Sequence, residues 1–97
     1  MKYSINGRPV IGGRVVAVGQ DVFKVSKPGR EEIITVQVFS LLLDNAHVLR
    51  ARYRLSKELK NETLSAGDYV LCEVVKFDGQ FDPSLIVHEI NNPEVEQ

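Results

Sequence analysis

Tryptophan is absent, and cysteine and methionine occur once each. A single cysteine, Cys72, cannot close an internal disulfide. It also has no cysteine or histidine partner at ligand spacing, so no metal site is expected around it. Its apolar surroundings in the sequence predict a buried structural thiol, which fits a reducing, cytoplasmic setting. No apolar run is long enough to span a bilayer, and the N-terminus carries no signal-peptide pattern, so no membrane role is expected. Neither sign of charge dominates. Twelve lysines and arginines face thirteen acids, for a net charge of −1, which argues against a strongly basic nucleic-acid binder.

Catalytic constellations are missing as well. His47 and His88 are far apart in sequence, and neither lies in a motif for nucleophilic or metal catalysis. None of Ser26, Ser40, Ser56, Ser65 and Ser84 sits in a nucleophile elbow. Gly12-Gly13 lacks the phosphate-loop pattern. The acids are scattered, or paired only as Glu31-Glu32. The expectation is therefore a protein that is not an enzyme, with no cofactor, no metal and no small-molecule substrate.

What the chain does have is a stripe. Arg50, Arg52 and Arg54 occupy every second position of Val48-Leu49-Arg50-Ala51-Arg52-Tyr53-Arg54-Leu55. Side chains on a β-strand alternate between faces. The three guanidinium groups then share one face, and Leu49, Ala51, Tyr53 and Leu55 share the other. Three aligned cations repel one another unless a polyanion or carboxylates compensate them. Such a stripe is an electrostatic footprint for a phosphate backbone, and its bland counterpart is a solvated sheet face. The charge distribution favours the footprint. The interval Lys24–Lys60 holds eight bases against four acids, while Glu89–Gln97 holds three acids and no base. Local potential steers a polyanion more than net charge does.

The remaining pattern predicts an all-β domain over residues 1–90 with a flexible acidic tail at 91–97. Strands are expected over Ile11–Val18, Ile33–Leu43, the arginine run, Tyr69–Phe77 and about Phe81–Ile90. Between them lie turn signals at Pro28-Gly29, Asp44-Asn45, Ala66-Gly67-Asp68 and Asp78-Gly79. Pro28-Gly29 favours a type II turn. Ser56–Leu64 reads as a loop or one helical turn. Five strands and one short connector predict a five-stranded OB-fold-like barrel with protruding hairpins, with an SH3-like barrel as the alternative. At the hairpin tip Lys76-Phe77-Asp78-Gly79-Gln80-Phe81, a ring held near a tight turn is hard to bury, so Phe81 is expected to stack on a base. Phe77, Val74 and Leu85 are expected at a homodimer interface, because the 69–90 hairpin is apolar on both faces.

Gly79-Gln80-Phe81 followed by Ser84-Leu85 resembles a hairpin-tip motif of the helix-destabilising, single-stranded DNA-binding proteins of filamentous bacteriophages. Asp82-Pro83 makes it one residue longer than the family pattern. Val25-Ser26-Lys27-Pro28-Gly29-Arg30 resembles the family's basic DNA-binding loop. Leu43-Asp44-Asn45 followed by Arg52 resembles its next hairpin. The resemblance implies a dimeric OB-type barrel that coats single-stranded DNA cooperatively, without sequence preference, during phage replication in a bacterial host's cytoplasm. RNA is the other polymer to consider. Lys27, Arg30 and Arg52 match basic positions of the DNA site, and Phe81 matches its stacking aromatic. The family also uses tyrosines against bases, and the nearest matching positions here are Glu32, Ser40 and His47. The competing class is a protein-interaction barrel with no nucleic-acid role, in which the arginines meet an acidic partner. A third is a subunit of an enzyme whose catalysis lies elsewhere.

Overall fold

The structure, a computed structural model, describes residues 4–77, 79 and 82–92, with only the backbone described at 20–27 and 30–36. Six strands are present: β1 (Ser4–Ile5), β2 (Arg8–Lys27), β3 (Arg30–Leu43), β4 (Val48–Leu55), β5 (Tyr69–Lys76) and β6 (Ser84–Ile90). A single 3-10 turn, Lys57–Leu59, lies between β4 and β5. The sheet order is β1-β2-β3-β4-β6-β5, and β2 pairs again with β5. That second pairing closes β2 to β6 into a five-stranded OB-like barrel, with β1 added outside it. All pairs are antiparallel except β4–β6, which is parallel.

One strand closes the barrel because it serves two neighbours. β2 pairs with β5 over Val10–Arg14 and with β3 from Gly13 to Lys27. Glycines sit where it passes between them. A Cβ on Gly12 would lie 2.6 Å from the Tyr69 hydroxyl, and one on Gly13 would lie 3.1 Å from the Leu42 carbonyl oxygen. A bulge between Val15 and Ala17 follows, and bulges sharpen the local twist a small barrel needs.

Beyond the barrel, β2 and β3 continue as a paired ribbon to Lys27 and Arg30. Gly29 there has φ +79°, the value a type II turn requires at its third residue. The short β1–β2 hairpin was not expected. Its turn is Asn6-Gly7, with φ +54° and +74°, the signature of a type I′ turn.

The core is built from inward residues of every barrel strand, including Val15, Phe39, Leu41, Tyr53, Val70 and Val87. Phe39 and Tyr53 stack with ring centroids 4.3 Å apart. Cys72 is buried as expected, and burial pushes its thiol up to about 12. Leu85 is also in the core, at 2 % exposure, and Val74 packs against it. Both had been expected at a dimer interface. Sequence periodicity could not choose between the two apolar faces of this hairpin; the register with β4 and β5 turns Leu85 inward.

β5 and β6 pair as far as Lys76 and Ser84; Asp78 of the expected Asp78-Gly79 turn lies outside the described residues. Among the described residues, no helix is long and apolar enough to cross a membrane.

Candidate nucleic-acid interface

β4 is half-buried, and its alternation holds. Ala51 and Tyr53 face the core, while Arg50 and Arg54 are exposed and Arg52 is half-buried. Successive arginines lie about 6.8 Å apart along the strand. The cross-strand neighbours on this outer face are small. Ser40 lies opposite Arg50 and Ala17 opposite Ser40; Val38 lies opposite Arg52 and Gly19 opposite Val38. A hollow of ≈ 280 Å³ results, lined by Ala17, Gly19, Val38, Ser40 and Arg50 among others.

The β5–β6 loop reaches this stripe. Arg50 Nε lies 3.2 Å from Asp82 Oδ2. Arg52 Nη2 donates to the Asp82 carbonyl oxygen at 3.2 Å, and the Arg52 backbone N–H donates to the Pro83 carbonyl at 2.9 Å. Arg52 Nε is buried with no acceptor among the described residues. Arg54 makes no ion pair with any described residue. Phe77, at the start of the same loop, is 69 % exposed. Of the other expected contacts, Lys27 and Arg30 pair across the ribbon's end by backbone; their side chains, and Phe81 altogether, lie outside the described residues. The position of this face matters. In OB barrels the second and third strands and the loops at their flanks bind oligonucleotides. Those strands are β3 and β4 here, and the loops are the ends of the β2–β3 and β5–β6 hairpins.

A second polar cluster escaped sequence reasoning. Glu73 is on β5 with a side chain 0 % exposed. Arg8 Nη1 donates to its Oε2 at 2.9 Å, His88 Nε2 lies 2.8 Å from its Oε1, and Asn6 Nδ2 donates to Oε1 at 3.3 Å. His88 is thus tied to a buried acid. The Asn6-Gly7 turn, a strong hairpin signal with a short strand before it, was the one local clue that this segment folds onto the sheet. The Arg8 hydrogen bond, then that from His88, holds the Glu73 carboxyl below its ordinary range against the opposing effect of burial.

A depressed carboxyl stabilises the fold above its unfolded pKa, and that contribution is lost as pH falls through the folded value. The expected loss therefore begins below the ordinary glutamate pKa of about 4.3. Thermal melts across that range should show a falling Tm, and Glu73→Gln should flatten the acid limb. Parallel acid limbs for the two proteins would remove Glu73 from the account.

Among the described residues, no group of three His, Cys, Asp or Glu side chains could hold a metal ion. Comparison of the chain with protein-family models and with curated proteins gives no match, so the phage-family resemblance rests on the short motifs themselves.

Proposed function

We propose that this protein binds single-stranded nucleic acid, DNA in the first instance, across the outer face of β4, without reading sequence. The observation that carries the reading is the arginine stripe on the third strand of an OB-like barrel, beside a loop bearing an exposed phenylalanine. Guanidinium groups at regular intervals neutralise phosphates, and an exposed ring offers a stacking platform that any base satisfies. Phe81 is the second platform in this reading. Coating of phage DNA by a homodimer is the biological form that the motif resemblance supports.

Fluorescence titration with oligo-dT and a mixed-sequence oligomer at two salt concentrations tests it. The expected result is similar affinity for both and a steep loss with salt. Salt-independent binding, or none, would remove the proposal in favour of a protein-interaction barrel.

Asp82 enters this reading as an internal competitor. Its carboxylate sits on Arg50 where a phosphate oxygen would. Asp82→Asn should tighten oligo-dT binding by up to about fivefold, since an exposed ion pair is worth at most about 1 kcal/mol. Unchanged affinity would take Arg50 off the phosphate path.

A further inference from the structure

The stripe on β4 borders two surfaces. One is the β2–β3 side, with its small residues beside Arg50. The other is the outer face of β6 and β5, which the sequence did not single out. Here Ser84 lies beside Arg52 and Ile86 beside Arg54 in the parallel β4–β6 register, and Glu73 lies beyond Ile86 on β5. Two shallow hollows meet along the Arg54–Ile86 row. The first, ≈ 260 Å³, is lined by Arg52, Val75 and Ser84 together with that row. The second, ≈ 320 Å³, is lined by Asn6, Ser56, Lys57 and His88 together with the same two residues.

Resting on the proposed function, we infer that the single strand runs from the stripe across this β6–β5 face. One base sits in each hollow, on either side of Arg54 and Ile86, and the phosphate path continues from Arg50 past Arg52 and Arg54 to Lys57.

Three features support this course. The hollows lie at or below the lower end of the size range of small-molecule sites, which fits a flat nucleobase better than a larger ligand. Their shared row combines an apolar residue with a guanidinium that makes no ion pair among the described residues, so one wall suits a base and the rim suits a phosphate. The acid that would repel a polyanion here, Glu73, is buried beneath Arg8, Asn6 and His88. Its bond to His88 also fixes an imidazole in the wall of the second hollow, a ring on which an unstacked base can lie. Glu58 is the other acid among the described residues that line the second hollow. Its own backbone, as a hydrogen-bond partner, holds its carboxyl below the ordinary range, so it is ionised at neutral pH and opposes the strand.

The test is oligo-dT titration of the full chain with Lys57→Ala, Ile86→Glu, Glu58→Gln and, as the marker of the other side, Arg50→Ala. Lys57→Ala should flatten the dependence of log K on log salt by about 0.7, about a fivefold loss per tenfold fall in salt. Ile86→Glu should abolish most binding, and Glu58→Gln should strengthen it. Lys57 and Glu58 are exposed on the 3-10 turn, so the result stands even if Ile86→Glu fails to fold. Wild-type affinity and slope in Lys57→Ala and Glu58→Gln, with weakened binding in Arg50→Ala, would put the strand on the β2–β3 side and overturn this inference while sparing the proposed function. No binding of oligo-dT by the unmodified protein would overturn both.

Discussion

Leu85→Ala is expected to lower the unfolding free energy by about 2–5 kcal/mol. Leu85 lies beside Tyr53 on β4 and Val74 on β5 by strand register, and Tyr53 is itself stacked on Phe39. Cutting the side chain to a methyl removes its transfer free energy and leaves a cavity that a barrel closed on all sides cannot collapse to fill. For a domain of this size each kcal/mol moves Tm by about 4–8 °C. The variant should therefore unfold at least about 8 °C below the parent. Urea or thermal unfolding measures this. The same substitution decides between a core role and a dimer contact. If Leu85→Ala left the unfolding midpoint in place and shifted a concentration-dependent mass in light scattering, Leu85 would act at an interface and not in the core. Phe77 is the expected interface residue that remains exposed, and it is the better site for an association test.

What the sequence disclosed depended on the range of the signal. The β4 stripe was legible because its partner face is apolar, so a period of two is unambiguous over eight residues. The Pro28-Gly29 turn was legible because proline fixes one dihedral and glycine supplies the positive φ of the next position. The strand partners that close the barrel were not legible. Pairing of Val10–Arg14 with Tyr69–Glu73, and the parallel course of β6 beside β4, join segments with no local signal in common. The Glu73 cluster was invisible for the same reason. Arg8 and Glu73 are 65 residues apart, and an alternating strand pattern places a glutamate on a face without saying what covers it. Asp82 was passed over because a carboxylate beside a proline reads as a loop residue. Only the crossing of that loop over β4 brings it to Arg50.

Replacing Arg50 and Arg54 together by alanine is expected to flatten the salt dependence of single-strand binding by about 1.4 in log K against log salt, about 25-fold per tenfold change in salt. These two are the informative pair because both are exposed on the outer face of β4, so their removal does not open the core. Arg52 is less suitable. Its guanidinium donates to the Asp82 carbonyl, so Arg52→Ala would release the loop as well as a phosphate contact and mix two effects. Loss of Arg50 also leaves the Asp82 carboxylate without the Arg50 guanidinium and adds repulsion toward a polyanion. The triple variant that also carries Asp82→Asn should therefore recover part of the affinity without recovering slope, because slope counts phosphate contacts and not repulsion from a single fixed charge. Equilibrium titrations of oligo-dT from about 0.05 to 0.5 M salt separate the two quantities. An unchanged slope in the double variant would remove the phosphate path from β4. A slope that flattened for oligo-dT but not for a mixed-sequence strand would make the stripe a sequence reader, contrary to the proposed mode of binding.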